Sequence, residues 1–313
     1  MIYSLLKPEN LSHTNEYYKE FRSFLGMPMV NEFRDNEYKK IVEKVKETYD
    51  SLADVFDYFY PAITLNTNNF IQNLHKFLQK HAVKKILDCA CGTGRELIPL
   101  AETRAYELII GSDLSAKMLE KASKKAKGLA IDWIQSEWLE LPQKLQYNNF
   151  DAILCVGNPL THIPPWSYVK VFSSIFQLLR NGGIFIVNER NWESELGKEN
   201  FKKGRSLTTV YAPLPRLSFL NVHQTGQKEI FAYFTYHLYD ARARIQLLHF
   251  LEVNTDGVAL ERLFQFKCFY VGKEAVKNAL VEAGSKKVEE LNCLNKLNDF
   301  DTYAEEMFLS AWR

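Results

Sequence analysis

The chain predicts a doubly wound α/β fold: a sheet of seven strands with helices on both faces, an antiparallel β insertion after strand five, and extra helices at the N-terminus. Three observations carry this expectation. Strand-like and helix-like segments alternate from residue 84 to 193, the pattern of a parallel sheet covered on both sides. The run Lys84–Glu96 reads as a buried strand, a turn holding two small residues and two glycines, and the first turn of a helix. Asp113 stands nineteen residues beyond Gly94, at the end of a second strand. Together the last two lay a nucleotide-type ligand across the carboxyl ends of parallel strands.

In chain order, residues 14 to 48 are charged and helix-prone, with Tyr17, Phe21, Phe24, Phe33 and Ile41 as apolar anchors. They are expected to form one or two amphipathic helices packed outside the main domain. The aromatic-rich segment Tyr49–Tyr60 precedes a helix at Asn69–His81. Strand one is Lys85–Cys89, followed by a helix at Glu96–Arg104; strand two is Leu108–Ser112, followed by a helix at Ala116–Lys127. Ala130–Gln135 and Phe150–Val156 are strands three and four, Tyr168–Leu179 a helix, and Ile184–Asn188 strand five after Asn181-Gly182-Gly183, a helix stop and tight turn.

Residues 196–257 break the alternation. Ser206–Tyr211, Lys228–Tyr239 and Arg242–Val253 are rich in Phe, Tyr, Thr and Leu and read as antiparallel strands of an insertion. The α/β pattern then resumes, with Phe264–Tyr270 as strand six, a helix at Lys273–Ala283, a strand edge at Lys287–Leu291 and a last strand at Glu306–Trp312. The expected domains are a helical extension over 1–48, a ligand-binding core over 49–195, the insertion over 196–257 on the substrate side, and the rest of the core sheet over 258–313.

The 313 residues carry a formal net charge of +1, so no basic footprint for nucleic acid is present. The Lys124-Lys125-Ala126-Lys127 cluster suits a solvated helix end. The five cysteines form no Cys-x-x-Cys pair, which points to a reducing compartment, and no His/Cys set with metal-ligand spacing accompanies them, so no metal is expected. No apolar run approaches a membrane span and the N-terminal apolar stretch is too short for a signal peptide, so a cytoplasmic location without membrane association is expected; a homo-oligomer is compatible with this composition.

The glycine turn supplies close backbone approach to a ligand, and the following helix start offers N–H groups to an anion. Asp113 can accept both ribose hydroxyls, because a carboxylate has room for two donors. Three more polar segments fall at strand ends: Ser136-Glu137-Trp138 after strand three, Gly157–Ile163 after strand four, and Asn188–Trp192 after strand five. An acceptor such as Glu137 can bond the amine of adenine, and the Trp138 indole can pack on its ring.

The spacing Asp88-x-Ala90-x-Gly92-x-Gly94 resembles motif I of the class I S-adenosylmethionine-dependent methyltransferases, with Ala90 in place of the first glycine. From about Tyr49 to the C-terminus, the chain is similar in order and length to the glycine/sarcosine N-methyltransferase family, above all in Gly157–His162 and Arg190–Trp192. The resemblance implies a Rossmann-like core and S-adenosyl-L-methionine as cofactor. It implies cofactor contacts for Ala90, Gly92, Asp113, Glu137 and Trp138; Asp88, Gly94, Leu114 and Met118 are placed beside them. Tyr49 lies in a segment that resembles the one closing over the cofactor in many small-molecule methyltransferases. On the acceptor side it implies Asn158 and Arg190, the latter gripping the carboxylate of an amino-acid substrate; His162 and Tyr236 join them. His162 is a candidate base, although methyl transfer from a sulfonium depends more on in-line positioning, and no obligate base is assigned.

The chain also departs from the family. Pro159 stands where the family has Ser, Phe234 near the place of a substrate-contacting Tyr, and Thr64-Leu65-Asn66-Thr67 lacks the arginine that holds the cofactor's carboxylate. The expected activity is therefore N-methylation of an amino acid or related amine, with small-molecule O-methylation or non-catalytic cofactor binding as alternatives. Asn158-Pro159 also sits where adenine-N6 methyltransferases carry a base-gripping motif. Leu160 and Thr161 replace that motif's second Pro and aromatic, which argues against a flipped-base substrate.

Overall fold

The computed structural model describes residues 34–60, 63–65, 68–145, 147–191, 216–222, 228–239, 243–254, 257–291, 294 and 305–313. Its strands are β1 (Lys85–Asp88), β2 (Leu108–Asp113), β3 (Asp132–Gln135), β4 (Phe150–Cys155), β5 (Leu179–Asn191), β6 (Arg216–Val222), β7 (Lys228–Tyr239), β8 (Ala243–Asn254), β9 (Gly257–Phe269), β10 (Lys287–Glu290) and β11 (Glu305–Trp312). Seven of them form a sheet in the order β10-β11-β5-β4-β1-β2-β3. The pairs β1–β2, β1–β4, β2–β3 and β4–β5 are parallel, and β11 runs antiparallel between β5 and β10. In central β4, Ala152, Ile153, Leu154 and Cys155 form an apolar run that is fully buried, as a strand covered on both faces must be. Edge strand β3 is only partly covered.

The main helices are α1 (Asp35–Leu52), α2 (Asn69–Lys80), α3 (Leu97–Glu102), α4 (Ala116–Lys125), α5 (Tyr168–Phe176) and α6 (Lys273–Glu282). The Asn68 side chain caps α2 by accepting the Ile71 N–H at 3.2 Å, and Phe70, Ile71, Leu74 and Leu78 on one face enter the core. Ser115 caps α4 in the same way through Met118 N–H, and its hydroxyl donates to Asp50 at the end of α1 at 2.5 Å. Lys124 and Lys125 fall in the last turn of α4, where cations complement the helix dipole.

The second sheet is antiparallel, β6-β7-β8-β9. Leu248, Phe250, Phe264, Phe266 and Cys268 from β8 and β9 pack against Leu52, Ala53, Val55, Phe59 and Met118. Two expectations change here. The segment expected as strand six, Phe264–Tyr270, falls largely in β9, which pairs with β8 from Ala243↔Phe269 to Asn254↔Gly257. The two strands are separated by only two residues, enough for a hairpin but far short of the dozen or so that a parallel crossover needs. The expected return to the core at residue 258 thus falls inside the antiparallel sheet, and β10 and β11 complete the seven-stranded one. Asn181-Gly182-Gly183 is not a turn ahead of strand five but part of β5, which starts at Leu179. The expected strand 206–211 lies outside the described residues, as do Tyr17, Phe21, Phe24 and Phe33.

At the N-terminal side, the expected boundary between residues 48 and 49 falls within α1. This helix is not packed outside the domain. Its Tyr38 and Leu52 are buried, and Tyr38, Val42, Val45, Tyr49 and Leu52, spaced four, three, four and three residues apart, share one face toward the cavity described next.

Candidate active site

One cavity runs along the carboxyl ends of β3, β2, β1, β4 and β5, the position at which an open α/β sheet takes its ligand. Its first end is built on main-chain geometry. The Asp88 carboxylate, at the end of β1, accepts the Ala90 N–H at 3.0 Å and turns the chain out of the sheet. Gly94 closes the turn onto the Cys91 carbonyl at 2.8 Å with φ of +77°. A side chain there would be strained, and its Cβ would lie 3.0 Å from Ile98 and 3.1 Å from Trp133.

Asp113 ends β2 and lines the cavity. Its Oδ2 accepts the Gly92 N–H at 2.8 Å and its Oδ1 the Ser115 N–H at 2.9 Å, so the carboxylate is fixed between the glycine turn and α4. Burial pushes the carboxyl up to about 6, against the pull of those N–H donors. Each oxygen has a second lone pair for a ligand hydroxyl.

After β3, the Trp138 indole N–H donates to the Cys89 carbonyl at 2.7 Å, which fixes the ring at the cavity wall. The Tyr38 hydroxyl (3.1 Å) and the Leu139 N–H (2.8 Å) both donate to Glu137 Oε2. Burial pushes the Glu137 carboxyl up; burial, followed by the Glu137 charge, pushes the Tyr38 phenol up, so the hydroxyl keeps its proton and donates.

The other end is built from side chains brought together over long distances. After β4, Asn158 adopts the left-handed conformation (φ 65°, ψ 42°), which asparagine tolerates, and leads into a single 3₁₀ turn, Pro159–His162. Two β5 residues hold this loop. Asn188 Oδ1 accepts the Gly157 N–H at 3.1 Å, and the fully buried Glu189 accepts the Thr161 N–H at 2.9 Å and the Arg190 N–H at 3.0 Å. The Thr161 hydroxyl donates to the Phe269 carbonyl of β9 at 3.0 Å.

His162 Nε2 and the Tyr49 hydroxyl are hydrogen-bonded at 2.7 Å, their rings edge-on, and Phe266 packs against both with centroids at 5.0 and 5.3 Å. Burial pushes the Tyr49 phenol well up. Asn158 Oδ1 is buried at the cavity and has no hydrogen-bond partner among the described residues. Arg190 lines the same end.

Helix α1 joins the two ends. Tyr38 touches Glu137 and Tyr49 touches His162, and the eleven-residue step from one to the other corresponds to about 16 Å of helix rise. Of the residues expected at the site, Tyr49, Ala90, Gly92, Asp113, Leu114, Glu137, Trp138, Asn158, His162 and Arg190 line the cavity. Asp88 and Gly94 shape the turn behind its wall. Met118 is not on the wall: it is fully buried in the apolar cluster with Leu52, Val55 and Phe264. Tyr236 falls in β7 opposite Leu247, and its side chain lies outside the described residues, as does Trp192.

Tyr38, Val42, Val45 and Phe266 line the cavity without having been singled out in the sequence, and Arg95, Glu96 and Thr161 line it without having been given a ligand contact there. Among the described residues, no group of three or more His, Cys, Asp or Glu side chains is arranged to hold a metal, and no helix is long and apolar enough to cross a membrane.

With this geometry in view, the family described as "Methyltransferase domain" matches residues 86–183. The chain is 33% identical over 130 residues to the glycine/sarcosine N-methyltransferase of Aphanothece halophytica, a match covering 41% of this chain and 48% of that protein. It is 31% identical over 129 residues to the glycine N-methyltransferase of Mus musculus, covering 37% and 43%. The chain thus spans about half the length of these curated relatives. The carboxy-S-adenosyl-L-methionine synthase of Nautilia profundicola is matched more completely: 30% identity over 184 residues, covering 56% of this chain and 73% of that protein. Among solved structures, a sugar N-methyltransferase from Streptoalloteichus shares the fold with a TM-score of 0.60 at 17% identity, over 82% of this chain and 92% of that one.

Proposed function

We propose that this chain, which belongs to the class I S-adenosylmethionine-dependent methyltransferases, transfers the cofactor's methyl group to a small amine that carries a carboxylate, an amino acid or a close relative. The observation that carries the proposal is the division of one cavity into two chemically different ends. At the first end, Asp113 accepts the ribose hydroxyls, Glu137 the adenine amine, and Trp138 packs on the adenine face. S-adenosyl-L-methionine supplies an electrophilic methyl on its sulfonium when bound there.

At the second end, Arg190 offers a forked guanidinium suited to a carboxylate. The unpartnered Asn158 Oδ1 offers an acceptor for the N–H groups of an amine. An ammonium must lose a proton before its nitrogen can attack, and the His162 imidazole on the cavity wall, hydrogen-bonded to Tyr49, is a group that can take one through its other ring nitrogen. Tyr49 thereby serves the acceptor as well as the closure over the cofactor. Positioning supplies the rest of the rate, because in-line transfer needs the nitrogen and the methyl held in contact more than it needs acid or base.

A second reading takes its support from the broader match to carboxy-S-adenosyl-L-methionine synthase: Arg190 would then hold a carboxylic acid whose bond to its carboxyl group breaks as that group joins the cofactor's methyl carbon, the proton lost by that carbon passing to the rest of the acid. The test is a screen of amines, amino acids, thiols, hydroxylated metabolites and carboxylic acids, read by S-adenosylhomocysteine release and by the mass of the cofactor. Amino-acid-like amines should release the most S-adenosylhomocysteine. A best acceptor that lacks a carboxylate, or one methylated on oxygen, would contradict the assignment, and a heavier cofactor would establish the second reading.

A further inference from the structure

On the cofactor assignment above, we infer that Arg95 and Glu96 form the seat for the charged amino-acid end of S-adenosyl-L-methionine, the guanidinium taking its carboxylate and the Glu96 carboxylate its ammonium. The sheet order fixes where that end must lie. Adenine belongs beside β3, at Glu137 and Trp138, and ribose beside β2, at Asp113. Neighbouring strands are about 4.8 Å apart, so a ligand laid from β3 across β2 next reaches the turn after β1. Arg95 and Glu96 follow that turn directly, and both are on the cavity wall.

The two side chains are bonded to one another, Arg95 Nη1 to Glu96 Oε1 at 3.0 Å, with Arg95 about one-third exposed and Glu96 nearly buried. A guanidinium presents its N–H donors in a fixed fork, and the bond to Glu96 arranges the pair as a plus–minus couple before a ligand arrives. The methionine end of the cofactor is the complementary minus–plus couple.

The surrounding charge agrees. The Asp88 carboxyl, behind the turn, is pushed well up by burial and then by the charges of Glu96 and Asp113. Glu96 and Asp113 thus stand close enough to Asp88 to act on it, and the Glu96 carboxylate beside the turn can face the ligand's ammonium. Among the described residues, Arg95 and Arg190 are the two arginines on the cavity wall, and Arg190 stands at the end of β5, on the far side of β4 from the turn.

The experiment is calorimetric titration of the full chain with two ligands. S-adenosylhomocysteine has the carboxylate and the ammonium; 5′-methylthioadenosine has the same adenosine and a thioether but neither charge. Arg95→Gln should weaken S-adenosylhomocysteine about tenfold or more, the loss expected for one charge-assisted hydrogen bond, and leave 5′-methylthioadenosine within about twofold. Glu96→Gln should show the same pattern, and it decides the matter if Arg95→Gln does not fold. Equal weakening of both ligands, or unchanged S-adenosylhomocysteine binding, overturns the assignment. A wild-type protein that binds neither ligand would instead overturn the cofactor reading on which it stands.

Discussion

At the cofactor end of the cavity, Asp113 and Trp138 are fixed by main-chain partners on adjacent strands and turns, and Tyr38 of α1 reaches Glu137 from afar; at the acceptor end, His162 and Thr161 are both fixed by partners from distant parts of the chain. Asp113 is held by Ser115, two residues away, and by Gly92, twenty-one away, both through backbone N–H groups. His162 is held by Tyr49 across 113 residues, and Thr161 reaches Phe269 across 108. The first arrangement follows from a strand, a turn and a helix. The second forms only after α1, the loop after β4, β5 and the antiparallel sheet have come together. A fold of this kind can therefore keep its cofactor end while its acceptor end is rebuilt.

The largest expected effect is at the cofactor end. Asp113→Ala should weaken S-adenosylhomocysteine by about 1–3 kcal/mol, the cost of losing a charged hydrogen-bond partner, measured by calorimetry. Unchanged affinity would take the ribose away from Asp113. Gly111→Ala should cost about 1–3 kcal/mol of stability through overpacking, read from the denaturant midpoint. Gly111 pairs with Asp88, and a Cβ there would meet the Trp133 ring at 2.5 Å. An unshifted midpoint would show that the main-chain frame is looser than its geometry.

A smaller effect separates binding from stability. Burial pushes the Asp113 carboxyl up to about 6 in the fold, above the usual 3.8. Ribose hydroxyls donate to the ionised form, so cofactor affinity should fall as pH drops through about 6, by at most about tenfold per pH unit for one linked proton. Stability of the free protein responds in the opposite sense at this group. The fold holds the proton more tightly than the unfolded chain, so the stabilisation is complete below the unfolded value of 3.8 and is lost as pH rises through about 6. Calorimetry and thermal melts from pH 5 to 8 would test the pair of signs; a cofactor affinity indifferent to pH would break the link to Asp113.

The smallest effect concerns the helix that joins the two ends. Tyr38→Phe removes one hydrogen bond to Glu137 and should cost about 0.5–1.5 kcal/mol of stability. A much larger loss would mean that α1 is anchored chiefly at the cofactor end.

The same contrast explains what the sequence made legible. Asp88, the glycine turn and Asp113 could be read because their geometry is local, and the polar segments after strands three, four and five could be grouped because strand ends converge. Tyr38, Val42 and Val45 escaped notice, although their four-three spacing with Tyr49 and Leu52 is a readable stripe; nothing local says that the stripe faces a cavity. Met118 is the converse case, an apolar helix residue that packs in the core, since helical periodicity does not separate a core face from a ligand face. The assignment of Phe264–Tyr270 as a core strand failed because strand propensity is blind to partner choice, and the short β8–β9 connection was the better signal. Glu189 could be noted only as a neighbour of Arg190; its hold on Thr161 depends on the pairing of β5 with β4.

The most direct test of a cavity with two independent ends is a pair of titrations on Arg190→Lys, one with S-adenosylhomocysteine and one with the best acceptor from the screen. The lysine keeps the charge and loses the fork, so acceptor affinity should fall about tenfold, the worth of one charge-assisted hydrogen bond, while cofactor affinity stays as in the wild type. Equal loss for both ligands, or a collapse of the melting transition, would contradict the division and make Arg190 a structural ion-pair partner.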